Sequence, residues 1–348
     1  MARGKDDRAT LDTIAERLGV SKGTVSKALN NRPGVSESLR VRVRREAAES
    51  GYAAPIGPGR RSSIAVVFDT LANLYSLAML DGMVAEAQQN EVDIVPEVLS
   101  PLSTAPAPPP TEQRILELHA RGHEALIVVT TTIPQALIAL CRDLGLPLVS
   151  VDSPNALDAD VASVGSNNWM GGMQATRHLL ELGHRRIAFV GGSAGHVGLQ
   201  GRRAGYRAAL EAAGLVEDPL LVSERGMLSA GRPAREMLDL ADPPTAIFAA
   251  SDPSALDVIR HLSRDGVRIP EDVSVIGYDD TYAMLPAPKL LTTVHTPVPE
   301  IGALAVRTVL GLRDGIAPVS HHVDLATSLV VRETTAAPMS GAAREVPG

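Results

Sequence analysis

From Ile64 onward, short apolar runs alternate with stretches of helical periodicity, and this alternation constrains the fold more than any other feature. Six runs are typical of buried parallel strands: IAVVF (64–68), ALIVV (125–129), LPLVSVD (146–152), RIAFVGG (186–192), AIFAAS (246–251) and VSVIGYD (273–279). Strands that are apolar on both faces belong in a sheet that helices cover on both sides. The pattern therefore predicts a doubly wound α/β architecture.

Composition narrows the class of protein. Hydrophobic residues make up 45 % of the 348 residues and aromatic residues only 3 %, so the cores must consist of Ala, Val, Leu and Ile. The single cysteine, Cys141, excludes an internal disulfide framework and fits a reducing compartment. No apolar run approaches the roughly 18 residues of a membrane span, and the N-terminus is too polar for a signal peptide. We expect a cytoplasmic protein.

Residues 10–51 have a different pattern, which predicts three short helices. In the first, the apolar residues follow the spacing of a one-sided stripe: Leu11, Ile14, Ala15 and Leu18. Thr10 is its expected N-cap and Gly19 its terminator. Ser21 and Ser36 are the expected N-caps of the second and third helices.

The second helix, within GVSKGTVSKALN (19–30), carries little bulk on one face. Its apolar side consists of Val25, Ala28 and Leu29, and its other side of Lys22, Gly23, Ser26 and Lys27. Small residues let a helix approach a duplex closely, and lysine donates to guanine edges or phosphates. The hydroxyls of Ser21, Thr24 and Ser26 suit phosphate oxygens at a helix N-terminus. The pattern favours a helix-turn-helix, with a solvated helix of an ordinary three-helix domain as the alternative.

Charge is divided unequally along the chain. Residues 1–61 carry 13 basic and 7 acidic side chains, whereas the rest carries 20 and 33. A basic N-terminal region followed by an acidic remainder indicates that only the N-terminal region binds a polyanion. The alternative is a basic patch without a partner.

These residues carry a strong resemblance to a known family. TLDTIAERLGVSKGTVSKALNNRPGVSESLRVRVRREAAESGY (10–52) resembles the headpiece of the LacI/GalR family of bacterial transcription regulators. The resemblance continues through the core in the family's order, in HLLELGHRRIAFVGG (178–192), RRAGYRAALEAAGL (202–215), PTAIFAASD (244–252), IPEDVSVIGYDD (269–280), LLTTVHTPVPEIG (290–302) and SLVVRETT (328–335). It implies a homodimer that binds a near-palindromic operator in double-stranded DNA and is controlled by a small-molecule effector.

The resemblance also assigns roles in the headpiece. Lys22, Gly23 and Lys27 fall at base-reading positions, and Ser21, Thr24, Ser26 and Asn30 at backbone-contacting positions. Gly23 offers no side chain, and Lys27 stands where the family usually has arginine, which removes a bidentate fork. We therefore expect a weaker or different base preference.

The linker departs further from the family pattern. Family members usually place a hinge helix after the Gly-Tyr pair, and its leucine enters the minor groove. Here Gly51-Tyr52 is followed by AAPIGPGRRSS, whose prolines and glycines disfavour a helix. We expect no hinge helix, with Arg60 and Arg61 either on phosphates or in solvent.

For the core, the resemblance implies a periplasmic-binding-protein-like pair of Rossmann-like subdomains with an effector between them. Parallel strands present their carboxyl ends to such a crevice, and four polar residues lie there: Asp69, Asp152, Ser251 and Asp279. The family's cleft positions add Asn73, Tyr75 and Arg202. Carboxylate, amide and guanidinium groups suit vicinal hydroxyls, so we expect a sugar or related polyol, with no cofactor and no metal. The alternatives are helix capping by the strand-end residues and a salt bridge between Arg202 and Asp279.

The predicted fold class is α plus α/β, a three-helix headpiece followed by a two-subdomain parallel-sheet core. The expected segments are a headpiece (1–54), a linker (55–63), a core (64–335) and a disordered tail (336–348). Within the core, the N-subdomain comprises about 64–165 and 295–322, and the C-subdomain about 166–294 and 323–333.

The sequence also contains features of an enzyme, a transport-type binding protein and a metal-binding protein. GGSAG (191–195) matches the G-x-S-x-G nucleophile pattern, with Asp279 and His295 following in hydrolase order, but such glycine-rich turns are common after parallel strands. A transport-type binding protein would suit the core but not the headpiece. The adjacent His321 and His322 lack the spaced Cys/His set of a metal site.

Overall fold

The computed structural model describes residues 10–29, 34–50, 62–100, 108–192, 195–226, 229–282 and 290–339. The first two ranges contain three helices, α1 (Leu11–Leu18), α2 (Lys22–Leu29) and α3 (Glu37–Glu49). Thr10 and Thr13 form a reciprocal capping box, and Gly19 closes α1 with a φ of 65°. Ile14 and Val25 are central to a small shared core. The three-helix prediction is confirmed.

The N-subdomain is a six-stranded parallel sheet covered on both faces. Its strands are β1 (Ser63–Phe68), β2 (Asp93–Val98), β3 (Ala125–Val129), β4 (Leu148–Val151), β5 (Ala162–Ser166) and β11 (His322–Leu325), in the order β11-β5-β4-β3-β1-β2. Its helices are α4 (Leu74–Gln89), α5 (Glu112–Ala120), α6 (Gln135–Asp143) and α11 (Val298–Arg313). Two apolar clusters, one on each side of the sheet, form its core.

The C-subdomain repeats this plan. Its strands are β6 (Ile187–Val190), β7 (Val222–Ser223), β8 (Ala246–Ala249), β9 (Ser274–Asp279), β10 (Thr292–His295) and β12 (Ser328–Val330), in the order β12-β10-β9-β8-β6-β7. Its helices are α7 (Asn168–Glu181), α8 (Val197–Ala212), α9 (Gly231–Leu238) and α10 (Asp252–Arg264). Only the β10–β12 pair is antiparallel among the described strands. The predicted α/β class is correct.

The chain crosses between the two sheets three times, after β5, after β10 and after β11. The third crossing was expected after residue 322. Instead β11 pairs with β5 along its whole length, from His322↔Ser163 to Leu325↔Ser166, so it belongs to the N-subdomain. The edge strand HVDL has no buried apolar run, which is why its sheet could not be predicted from the sequence.

The prediction of a disordered tail from residue 336 is wrong for Ala336. Val275 N–H donates to the carbonyl of Thr334 at 2.8 Å, and Ala336 N–H donates to Ser274 Oγ at 3.0 Å. The imidazole of His184 is 2.8 Å from the Ala336 carbonyl. The chain is therefore fixed to the C-subdomain through Ala336, and residues 340–348 lie outside the described ranges.

Two glycines determine how closely α7 and α8 pack. A Cβ on Gly172 would lie 2.0 Å from the Arg202 carbonyl oxygen, and one on Gly205 would lie 2.0 Å from that of Trp169. Both positions therefore exclude a side chain. The resulting backbone contact places the first turn of α7, where the chain enters the C-subdomain, against Arg202.

Candidate DNA interface and effector cleft

The α2 helix has one buried face and one exposed face. Val25 and Ala28 are fully buried, whereas Lys22, Gly23 and Lys27 are exposed. Outside the helix backbone, the nearest atom to a Cβ built on Gly23 would be Ser21 Oγ, at 3.8 Å. Because packing does not require glycine there, the bare backbone at position 23 is a property of the surface and not of the fold.

The hydroxyls at the start of α2 hold the helix end. Ser21 Oγ accepts from the Thr24 backbone N–H at 3.1 Å and lies 2.8 Å from Thr24 Oγ1. Ser26 is partly buried on the next turn. Asn30, also predicted to contact DNA, lies outside the described residues, as do Arg60 and Arg61 of the linker.

Sequence reasoning missed Asp12 at this surface. Lys22 Nζ lies 2.7 Å from Asp12 Oδ2, and both side chains are more than half exposed. Asp12 belongs to α1, so the pair forms because α1 packs on α2. A helical wheel of α2 alone could not predict it. An acid beside a predicted base-reading lysine orients that lysine and adds an acceptor to the surface.

In the N-subdomain, two of the predicted residues, Tyr75 and Asp152, are in contact, whereas Asp69 and Asn73 have other partners. Tyr75 OH donates to Asp152, whose φ of 46° turns the chain sharply after β4. Asp69 accepts from Thr130 Oγ1 at 2.8 Å and from the Thr70 N–H at 2.7 Å. Asn73 caps α4 by accepting from Ser76 N–H at 2.7 Å. Asn73 therefore caps a helix, a role that the sequence suggests only for the strand-end residues.

On the C-subdomain side, Arg202 is the centre of the contacts. Its guanidinium pairs with Asp279 at 2.9 Å, donates to Asn168 at 2.8 Å and to the Ala250 carbonyl at 2.6 Å, and lies 3.7 Å above the Tyr278 ring. The salt-bridge alternative is present in the structure. Ser251 acts as the N-cap of α10 and lies 3.0 Å from Ser254 Oγ.

Ionisable groups of the two subdomains lie close enough to change one another's pKa. Burial raises the pKa of Asp152 to about 6, the Tyr75 hydrogen bond and the charge of Arg202 oppose this rise, and the charge of Asp279 adds to it. Burial also raises the pKa of Tyr75, and Asp152 and Asp279 contribute. One backbone hydrogen bond, from Val197 N–H to the Pro154 carbonyl at 2.9 Å, joins the subdomains directly. The arrangement can surround a small polar ligand with paired carboxylates, a phenol and a guanidinium.

Two further residues near Arg202 were not predicted. Asn168 accepts from Arg202, and His196 precedes α8, where burial and the charge of Arg202 lower its pKa to about 4. His196 Nδ1 is buried without a hydrogen-bond partner among the described residues. The strand-end rule missed both, because Asn168 opens a helix at a crossing and His196 lies beyond a glycine turn.

The catalytic alternative is not supported by its geometry. Asp279 is bound to Arg202, and His295 Nδ1 instead lies 3.3 Å from Asp280. Ser193 of the glycine turn lies outside the described residues. In the described part of the chain, no cluster of His, Cys, Asp or Glu is placed to hold a metal ion, and none of its helices is long and apolar enough to span a bilayer.

Comparison with known proteins identifies the family. Residues 10–54 match the bacterial regulatory proteins of the lacI family, and residues 176–335 match the periplasmic binding protein-like domain. The chain is 31 % identical over 340 residues to the HTH-type transcriptional regulator CelR of Thermobifida fusca, covering 94 % of this chain and 98 % of CelR. The chain belongs to the LacI family.

Other similarities agree with LacI-family membership. The regulator MalR of Streptomyces coelicolor is 32 % identical over 94 % of this chain and 96 % of its own length. Among solved structures, a CelR–cellobiose complex covers 94 % of this chain and 100 % of its own with a TM-score of 0.69 and 31 % identity. The lac repressor dimer bound to operator and the anti-inducer ONPF covers 94 % and 99 %, with a TM-score of 0.68 and 27 % identity. This LacI-family chain is thus a DNA-binding transcriptional regulator and not an enzyme.

Proposed function

We propose that the protein is a dimeric repressor whose affinity for a near-palindromic operator is controlled by a sugar bound between the two core subdomains. The observation that carries the proposal is the exposed face of α2, with Lys22, Gly23 and Lys27 above a fully buried Val25. This face has the cationic, low-bulk form that a helix needs in order to enter the major groove.

At the operator, the two kinds of contact fall to different residues. Lys22 and Lys27 donate to base edges, and Gly23 lets the backbone come close. Ser21, Thr24, Ser26 and Asn30 bind phosphates and fix the register. Because lysine is a point charge without the bidentate fork of arginine, we expect Lys27 to discriminate only modestly among bases.

In the cleft, we propose that the effector contacts Asp69, Asn73, Tyr75, Asp152, Arg202, Ser251 and Asp279. Asp152 and Asp279 come from different subdomains and both raise the pKa of Tyr75, so one ligand beside Tyr75 can bind both. Vicinal hydroxyls of a sugar can donate to both carboxylates. CelR, a relative of high coverage, has been solved with cellobiose, which makes cellobiose the first compound to try.

The mechanism is thermodynamic linkage. A sugar that binds one relative arrangement of the subdomains better than another shifts that equilibrium. Two headpieces must span one operator, so rotation of the subdomains changes their separation. The affinities for sugar and for operator then change by the same factor, which is typically about 5–150-fold.

The DNA half of the proposal is tested by selecting duplexes from a random library and titrating the preferred duplex at fixed salt. Lys27→Ala should weaken binding by about 1–3 kcal/mol. Arg177→Ala, which removes an exposed cation on α7, is the matched control and should leave binding unchanged. Equal affinities for Lys27→Ala and the unmodified protein would contradict the role of Lys27.

The effector half is tested by thermal shift with cellobiose and a panel of mono- and disaccharides. A ligand at about 100 times its Kd should stabilise the protein by about 2.7 kcal/mol. Asp152→Asn should remove most of the shift, whereas Asp143→Asn, on the exposed side of α6, should not. If no sugar stabilises the protein, the carbohydrate assignment fails while the DNA half stands.

A further inference from the structure

The headpiece contacts the core where α3 packs against α5. Arg44 on α3, with a side chain only 5 % exposed, donates to Glu117 Oε1 on α5 at 3.3 Å. Arg44 is not part of the headpiece core, to which α3 contributes Val43 and Ala47. A buried guanidinium needs a fixed partner of opposite charge, and here that partner belongs to the other domain.

The contact continues into the N-subdomain as a chain of ion pairs. Glu117 also accepts from Arg114 Nη1 at 2.9 Å, and Arg114 binds Glu97 on β2. Arg121 lies 3.3 Å from the same Glu97. Burial alone would raise the pKa of Glu117, but the Arg114 hydrogen bond and the charge of Arg44 bring it below its usual value. The carboxylate is thus held ionised between two arginines.

The series of ion pairs ends at Glu97, near the strand end that carries Asp69. Glu97 is in register with Val67, one residue before the end of β1. Just beyond it, Leu99 N–H donates to the Phe68 carbonyl at 3.0 Å and Ser100 N–H to the Asp69 carbonyl at 2.9 Å. The same strand end that places Asp69 in the cleft is therefore tied, through β2 and α5, to Arg44 of the headpiece.

We infer that Arg44 and Glu117 are positioning residues that dock the headpiece on the N-subdomain and couple its orientation to the cleft. The inference rests on the proposed function and adds a route to it. The linker sequence, rich in Pro and Gly, lacks the hinge-helix pattern of the family, so a side-chain contact between domains provides the connection.

The protein carries its own reporter for this coupling. Trp169 is the only tryptophan, it is 42 % exposed, and it follows Asn168, which accepts from Arg202 in the cleft. Because linkage is reciprocal, DNA bound to the headpiece must alter the cleft if the cleft alters DNA binding. Trp169 fluorescence therefore reports headpiece binding from the far end of the chain of contacts.

The experiment titrates the full-length protein with the selected duplex while both duplex anisotropy and Trp169 emission are recorded. We expect a change in Trp169 emission on DNA binding in the unmodified protein. Arg44→Ala should keep DNA binding but reduce the emission change to about half or less, since the coupling is lost. Arg45→Ala, an exposed arginine on the same helix, should behave like the unmodified protein.

A second variant removes the same contact without changing the headpiece. Glu117→Gln leaves the headpiece sequence intact and should reduce the emission change as Arg44→Ala does, and the double variant should add little, as expected for partners in one contact. An emission change that persists in both single variants, or its absence in the unmodified protein with DNA bound, would overturn the inference. Failure of the unmodified protein to bind any duplex would instead overturn the proposed function.

Discussion

At the scale of single residues, burial separates the two faces of α2, and contacts from other elements complete the functional surfaces. Val25 and Ala28 were placed on the inner face of α2 by periodicity, and both are buried. Asp69 and Asp152 follow β1 and β4, as the sequence predicts, and their place in an effector cleft stays a prediction. Asp12 and Asn168 were missed because each acts through a residue of another element, Lys22 and Arg202 respectively.

Gly23 allows a prediction that separates folding from function. Gly23→Ala adds a methyl group without a clash, so the headpiece should gain about 0.5–1 kcal/mol from lower backbone entropy in the unfolded state. The same methyl group would stand between α2 and the groove, so operator affinity should fall. Thermal unfolding and duplex titration measure the two effects.

Gly311→Ala is the control for this prediction. Gly311 lies in α11, and the nearest atom to a Cβ added there would be 3.9 Å away. It should stabilise the protein without affecting operator binding. Should Gly23→Ala bind operator as tightly as the unmodified protein, the close approach at position 23 would be ruled out.

At the scale of elements, apolar runs predicted six interior strands, but not the interior strands β5 and β10 or the edge strands. The strands β1, β3 and β9 are buried throughout, and unbroken apolar runs predicted them. The edge strands β2 and β11 alternate with exposed residues and carry no such run, and β7 has only two residues. Their pairing is decided by which sheet edge the chain reaches, which is a property of the assembled fold.

The packing of α7 on α8 makes Gly205 intolerant of a side chain. Gly205→Ala would place a methyl group 2.0 Å from the Trp169 carbonyl oxygen, so the helices must separate, at a cost of about 1–3 kcal/mol in unfolding free energy. Denaturant unfolding measures this loss against Gly311→Ala. If Gly205→Ala were as stable as the unmodified protein, the close contact of the two helices would be disproved.

Asp252, at the start of α10, gives stability a dependence on pH. Burial raises its pKa to about 7, the charge of Asp279 adds to this, and Thr293 and Thr281 oppose it by donating to the carboxylate. The folded state therefore binds this proton more tightly than the unfolded state, in which the pKa is about 3.9. The stabilisation is complete below about pH 4 and is lost as pH rises through about 7.

Comparison with Asp252→Asn isolates this effect, because the other titrating groups are shared. The unfolding free energy of the unmodified protein, minus that of the variant, should fall as pH rises from about 4 to about 7 and level off above. Urea unfolding at several pH values provides the measurement. A difference that does not vary with pH would show that Asp252 titrates alike in both states.

At the scale of the whole molecule, a basic headpiece is joined to an acidic core that contains the cleft. Family resemblance predicted this plan, and the matches at both ends of the chain confirm it. The contact between Arg44 and Glu117 could not be predicted, because it joins residues 73 positions apart in two separately folded units. The linker sequence predicts only that the family's hinge helix is absent, and residues 51–61 lie outside the described ranges.

The most direct test of the central claim, that α2 reads a specific duplex, is one competition titration of the full-length protein at about 0.15 M salt. A labelled duplex carrying the selected site is displaced by either unlabelled site or a scrambled duplex of equal length and composition. We predict that the site competes at least about 10³-fold better than the scrambled duplex. Equal competition by the two duplexes, or no binding to either, would contradict the account.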